Sequence, residues 1–361
     1  MSYLQINNLK KSFKDDHVLK DINLTIDKGE FFVVFGPSGS GKTVLLRLIS
    51  GIMFQDNGSI QMDGKKIEQL NPEDRDISMA FQNFALYPHM DAYENIASPL
   101  RANKSNEDNV DKQVKEISSL LKIEHVLTHM PKELSNGQKQ RTSLARSLVS
   151  KPSVVLLDDP LRNVDAKIRY EMRLELPKIL KQFNTTVIYI TQDYREAMAL
   201  GDRIGVLYNG KFNDIEKPRE VYNNPKTLTS AKLFGDPTIN NFTSNVEINN
   251  GSIKIDLGDE NLVGNISDQK NITGEYIVGI RPEDIKLSNE NSKNSIKVEF
   301  RTKTPLNLKI VYLVKFKNGI EILCSMSENE SLNIDEKKDI FLDIDYSKIH
   351  LFNSNNQETI I

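Results

Sequence analysis

The run FFVVF-GPSGSGKT-VLLRLIS constrains this chain more than any other stretch. Its first five residues are aromatic or β-branched and read as a buried strand. From Val44 onward, apolar residues fall at helical spacing, and Gly51 closes that helix as the residue just past its end. Between strand and helix lies Gly36-Pro37-Ser38-Gly39-Ser40-Gly41-Lys42-Thr43. It fits G-x-x-x-x-G-K-[ST] in the strand-to-helix setting that the pattern requires. The glycines let backbone N–H groups approach phosphate oxygens without a Cβ in the way, and the helix N-terminus adds a favourable dipole. Lys42 is placed to reach the β- and γ-phosphates of a nucleotide, and Thr43 to hold Mg²⁺.

A second buried strand, VVLLDDP, delivers Asp158 and Asp159. An acid at the carboxyl end of a strand beside a phosphate loop suits Mg²⁺, so Asp158 takes that role. The helix KIRYEMRLELPKILKQF and the strand TVIYI follow. Strand, helix, strand in this order predicts an α/β core with a parallel sheet. Ahead of it, YLQI and VLKDINLTI read as strands, and Lys28-Gly29-Glu30 as a turn. RIGVLYNG reads as a strand ending in an Asn209-Gly210 turn. Residues 82–152 carry a helical pattern, with capping boxes at Asp91/Glu94 and Ser135/Gln138.

After residue 235 the composition shifts toward Asn, Ser and Asp. Short runs such as SIKIDL, YIVGI, IKVEF and KIVYLVKF alternate with turn residues, which predicts a mostly β domain over 236–361 behind a nucleotide-binding domain over 1–235. The net charge of −3 gives no pull toward nucleic acid or anionic lipid. The lone Cys324 offers no disulfide framework and fits a reducing compartment. No secretory signal is expected at the N-terminus, and the longest apolar runs are far shorter than a membrane span. His125 and His129 lack further ligands in the pattern a zinc site needs. The tail NSNNQETII reads as a disordered end.

Five more features stand in order: Gln82 in AFQNFALYPH, Leu134-Ser135-Asn136-Gly137-Gln138, the LLDDP strand, Val164-Asp165, and ITQD ending at Asp193. With the phosphate loop they resemble the ATPase subunits of ATP-binding cassette (ABC) transporters, of the maltose and glycerol-phosphate importer type. The segment GIRPED, residues 279–284, resembles an element of that subfamily's oligonucleotide-binding-like C-terminal domain. The resemblance covers residues 3–352. It implies a P-loop NTPase fold with antiparallel β and helical subdomains, and a cytoplasmic-face ATPase that binds ATP and Mg²⁺. The implied partners are a second ABC ATPase, two integral membrane permease subunits and, through them, a solute-binding protein, with no nucleic acid. The two ATPases would pack head to tail, each nucleotide lying between one chain's phosphate loop and the other's signature. The nucleotide contacts implied are Phe13 on adenine, Gly36, Ser38, Gly39, Ser40, Gly41, Lys42 and Thr43 on phosphates, and Ser135, Gly137, Gln138 and Asp165 at the shared face. Gln82 would sense Mg²⁺ and the attacking water, and the segment from there to Asn95 would dock the membrane subunits.

This chain departs from the family at defined places. Position 159 is Asp where the family has the Glu that polarises water, and one methylene fewer withdraws the carboxylate by about 1.5 Å. Position 192 is Gln where the family has His, so that side chain cannot become cationic. The loop after the acids reads Leu161-Arg162-Asn163-Val164-Asp165 in place of S-x-L-D. Asn136 replaces the first signature glycine, a milder change if the position needs positive φ, which Asn tolerates. Asp159, Gln192 and Gln82 remain the catalytic candidates. The pattern of losses suggests a heterodimer with an intact second ATPase. A homodimer, a regulatory ATP-binding subunit and a soluble ABC ATPase acting on ribosomes or DNA stay open. The cargo expected from the resemblance is a carbohydrate, polyol or glycerol-phosphate.

Overall fold

The computed structural model describes residues 2–268, 270–292 and 295–361 of the chain. They form two compact units, residues 1–219 and 220–361.

The first unit opens with strands β1 (Ser2–Phe13), β2 (Asp16–Asp27) and β3 (Phe31–Phe35), then helix α1 (Lys42–Ser50). Strands β4 (Asn57–Met62), β5 (Lys65–Lys66) and β6 (Ile77–Ala80) follow. Helices α2 (Ala92–Ala102), α3 (Glu107–Leu120) and α4 (Asn136–Leu148) form the helical part. The chain then alternates: β7 (Val154–Asp158), α5 (Ala166–Gln182), β8 (Thr186–Thr191), α6 (Tyr194–Leu200), β9 (Arg203–Tyr208) and β10 (Lys211–Glu216).

Strands β3, β6, β7, β8 and β9 lie parallel in a six-stranded sheet ordered β10-β9-β3-β8-β7-β6. The two central strands, β3 (FFVVF) and β8 (TVIYIT), are buried along their whole length, as a sheet covered on both faces requires. Strand β10 pairs antiparallel with β9 across Asn209-Gly210, both at positive φ, the two-residue hairpin turn that Asn-Gly favours. A separate antiparallel sheet ordered β2-β1-β4-β5 packs its apolar face, including Leu4, Ile6, Ile22 and Ile60, into a shared core. That core also takes Leu45, Leu46, Leu48 and Ile49 of α1 and alternate residues of β3, β7 and β8. The helix behind the phosphate loop is therefore clamped by two sheets.

Arg75 closes this clamp. It is 1% exposed, and its guanidinium donates to the carbonyls of Leu48 and Ile49 at 3.0 Å each, and to Leu70 and Glu68. A cation on the last carbonyls of α1 satisfies groups that a helix end leaves orphaned and complements its dipole. Burial lowers its pKa, with Glu68 opposing. Replacing it by Met strands those acceptors. Arg75→Met is expected to destabilise the fold by about 3 kcal/mol, because buried groups lose charge-assisted bonds. Urea unfolding of the full chain checks this.

The second unit is all-β apart from short helices, in two five-stranded antiparallel sheets consistent with an oligonucleotide-binding-like fold. One sheet runs from Asn261–Asn265 through Ser252–Asp256, Asn240–Asn249 and Ile272–Ile280 to His350–Asn353. Its core includes Ile248, Ile255, Val278, Tyr312, Cys324 and Leu342. The expectation of a disordered tail is corrected here. Thr359 N–H donates to the Lys226 carbonyl and Ile360 N–H to that of Leu351, while Ile360 and Ile361 pack on the core. The tail's two terminal isoleucines and its backbone pairing outweigh its polar composition.

No helix among the described residues is long and apolar enough to cross a membrane.

Candidate functional site

The phosphate loop occupies the turn from β3 into α1. Gly36 runs so close to β9 that a Cβ there would lie 2.1 Å from the Leu207 carbonyl oxygen. Gly41 precedes the helix at φ +102°, in the left-handed region that glycine adopts without strain. The loop wraps the Lys42 side chain, which is 5% exposed and donates from Nζ to the carbonyls of Gly36 (2.9 Å) and Pro37 (2.7 Å). Burial brings the Lys42 pKa down to about 8, against the attraction of Asp159 and Asp158.

Parallel pairing of β7 with β8 places Asp158 opposite Ile190. Thr43 Oγ1 donates to Asp158 Oδ1 at 3.1 Å. Burial raises the Asp158 pKa, with the Thr43 bond, Arg47 and Lys42 opposing. Asp159 sits at φ +45°, and its N–H donates to the Ile190 carbonyl. Its carboxyl pKa is pushed up to about 6, chiefly by burial and then by Glu196, with Arg162 opposing.

These groups share one cleft of about 280 Å³, lined by Ser38, Gly39, Gly41, Lys42, Thr43, Gln82, Asp158, Asp159 and Gln192, with Val18, Val44, Arg162 and Ile190. Gly36 and Ser40 support the loop from its inner side, Ser40 Oγ lying 3.4 Å from Lys42 Nζ. Phe13 is 44% exposed outside the cleft lining, with the Lys11 ammonium over its ring. Ser135, Gly137, Gln138 and Asp165 also lie outside that lining.

Ser135 caps α4, and Gln138 returns a bond to the Ser135 N–H, completing the capping box. Gly137 packs against Ile168, which a Cβ would approach to 2.7 Å. Asn136 is the first residue of α4 and not among the positive-φ residues. The tolerance of Asn for left-handed backbone therefore has no bearing there. A helical start accepts Asn for the simpler reason that its side chain is exposed. Asp165 caps α5, accepting from the N–H groups of Lys167 and Ile168.

Three participants carry no role in the sequence reading. Asn163 Nδ2 donates to the Gln82 carbonyl, tying the loop after the acids to the Gln82 segment. Glu196 is 2% exposed and accepts from Tyr189 and Thr191 hydroxyls at 2.8 Å each. Its spacing from the buried Leu200, four residues on, is the signal that could have placed it on an inward face. Arg162 lies on the cleft wall, its Nη1 3.7 Å from Asp159 Oδ2.

Beyond the cleft, Phe84 and Ala85 hold left-handed backbone, fixed by Ser143 Oγ and the Arg146 guanidinium on their carbonyls. Buried Asn95 bonds both backbone groups of Tyr87. The exposed segment after Gln82 is thereby held to α2 and α4.

A phosphate loop after β3 and the acid-ended strand β7, with β8 between them on one parallel sheet, define a P-loop NTPase. The family model described as ABC transporter matches residues 19–162. The chain is 33% identical to the Fe(3+) ions import ATP-binding protein FbpC of Fusobacterium nucleatum, over 99% of this chain and 95% of that protein. It is 35% identical to the sn-glycerol-3-phosphate import ATP-binding protein UgpC of Psychromonas ingrahamii, over 100% of this chain and 96% of that protein. Among solved structures it matches the ATP-binding cassette MJ0796, a dimer in a post-hydrolysis state bound to ADP and Pi. That match has 31% identity and a TM-score of 0.55 over 60% of this chain and 99% of that one. The chain belongs to the ABC transporter ATP-binding family, as a transport ATPase of the importer type.

Proposed function

We propose that this chain energises import of a small solute by hydrolysing ATP at the cytoplasmic face of a membrane, docked on two permease subunits fed by a solute-binding protein. The observation that carries this is the meeting of Lys42, Thr43, Asp158, Asp159, Gln82 and Gln192 in one cleft of an importer-type ATPase. The donor set suits Mg²⁺. A hydroxyl and a carboxylate stand 3.1 Å apart, both hard oxygen ligands, with the Gln82 amide on the same cleft. Mg²⁺ held by Thr43, Asp158 and Gln82 would neutralise charge on the β- and γ-oxygens. Lys42 exchanges its carbonyl partners for phosphate oxygens. Asp159 orients and deprotonates the attacking water, and Gln192 donates to the terminal phosphate. Ser135, Gly137, Gln138 and Asp165 face a second ATPase.

The partner reading is a heterodimer. Asp159 and Gln192 weaken this chain's own site, while the Ser135–Gln138 capping box leaves a well-formed signature to lend. A homodimer is the second reading, favoured by the φ of +45° at Asp159, which Asp adopts more readily than Glu. Purifying the membrane complex through a tag on this chain and identifying every ATPase in it tests this. Two copies of this chain and no other ATPase would sink the heterodimer.

A carbohydrate, polyol or glycerol-phosphate is the proposed cargo, supported by the near full-length match to a glycerol-phosphate importer ATPase. Stimulation of the complex's ATPase by each candidate with its binding protein is the check.

A further inference from the structure

The loop that departs most from the family places a cation in the cleft. Leu161 and Val164 are buried. The Arg169 guanidinium donates to the carbonyls of Leu161 (3.2 Å), Val164 (3.1 Å) and Arg162 (3.5 Å), and Asn163 is tied to Gln82. The Arg162 N–H donates to the Asp159 carbonyl at 3.3 Å. The backbone under Arg162 is therefore held on all sides, while its side chain is 49% exposed. That side chain lines the nucleotide cleft and also the adjoining pocket shared by Asp159, Gln192 and Glu196. Its approach to Asp159, at 3.7 Å, is an ion pair without hydrogen-bond length. A guanidinium offers five donors in a planar fork suited to phosphate oxygens, and that contact leaves the fork available. Its charge is also felt at Lys42, across the cleft.

We propose that Arg162 is the cation that contacts the terminal phosphate of ATP in this chain's own cleft, supplying the positive charge that Gln192 cannot carry. This rests on the reading that the cleft binds ATP. An arginine contributed by the same chain is an established way to stabilise phosphoryl-transfer charge. Here its position three residues after Asp159 lets one side chain pair with that carboxylate before nucleotide arrives and turn to the phosphate afterwards. The exchange needs no backbone movement, because Arg169 and Asn163 already fix the loop.

The test separates ATP from ADP and does not depend on turnover. Dissociation constants for a non-hydrolysable ATP analogue and for ADP, both with Mg²⁺, are measured by calorimetry on the full chain. Wild type, Arg162→Ala, Arg162→Lys, Gln192→His and the Arg162→Ala, Gln192→His pair are compared. Arg162→Ala is expected to weaken the analogue about tenfold, the scale of a lost charge-assisted bond, and to change ADP less than about twofold. Arg162→Lys recovers part of the loss, since an ammonium keeps the charge without the fork. In the Gln192→His background the Arg162→Ala loss shrinks to about threefold or less, the imidazole sharing the contact. Equal weakening of analogue and ADP would assign Arg162 a structural role and overturn the proposal, as would no weakening of either. If the wild type binds neither nucleotide, the reading of the cleft itself fails, an outcome distinct from both.

Discussion

Lys42→Ala is expected to weaken MgATP binding about 10²-fold or more and to abolish its pH dependence in the alkaline range. The Nζ is wrapped by its own loop and bonded to the carbonyls of Gly36 and Pro37. A nucleotide offers it phosphate oxygens instead, and charge-assisted bonds are each worth about 1.5–3 kcal/mol. Losing two corresponds to about 10²–10⁴ in affinity at ~1.4 kcal/mol per decade. Burial has brought the Lys42 pKa down to about 8. Phosphate binds the ammonium form and raises that pKa again, so binding above about pH 8 must take up a proton. Wild-type affinity should therefore fall as pH rises through 8, toward a tenfold loss per unit, and the Ala variant should show no such limb. Stability moves the other way. With its folded pKa below the ordinary 10.5, Lys42 costs the fold most at low pH, and that cost fades as pH climbs from about 8 toward 10.5. Calorimetric affinities between pH 7 and 9.5, on both proteins, decide it. Lys42→Arg should not rescue, because a planar fork does not fit a loop closed around a single nitrogen.

The residues behind this expectation were legible because they are neighbours in sequence. Gly36 to Thr43 carry their strand, their glycines and their helix in one stretch, and the two capping boxes are equally local. Asp158 was legible from its place at the end of an apolar strand. Gln82 and Gln192 were legible through family resemblance alone, since nothing in their own surroundings marks a glutamine as a ligand. What brings Gln192 to Asp159 is the parallel register of β7 on β8, with Asp158 opposite Ile190, and register is not written in either strand by itself. Arg162 shows the same limit. Its sequence context marks a departure, but its task depends on Arg169 and Asn163 holding the loop against the cleft. The tail failed for a related reason: its partners, Lys226 and Leu351, are remote or belong to another strand.

Asp159 carries the second large effect. Asp159→Asn is expected to lower hydrolysis at this chain's own site by about 10²–10⁴, the usual contribution of a general base. Hydrolysis by the wild type should fall as pH drops through about 6, where burial and Glu196 have set this carboxyl. The sign follows from the base having to be ionised. The same shift bears on stability in the opposite sense. A folded pKa above the ordinary 3.8 means the ionised carboxyl costs the fold, fully above pH 6 and progressively less as pH falls toward 4. Asp159→Asn should then unfold at higher urea than wild type at pH 7 while losing turnover, a stability gain at an active position. Asp159→Glu with Gln192→His tests the converse. Restoring the methylene returns the carboxylate by about 1.5 Å, and a misplacement near 1 Å can cost about 10²-fold, so turnover should rise by up to that factor. Residue 159 sits at φ +45°, where Glu is less at ease than Asp, and strain of about 1 kcal/mol should lower the double variant's unfolding midpoint. Faster turnover with a lower midpoint would mean that Asp159 trades reach for a backbone the site already imposes. Unchanged turnover would mean that the shorter acid, with Arg162 beside it, already reaches the water.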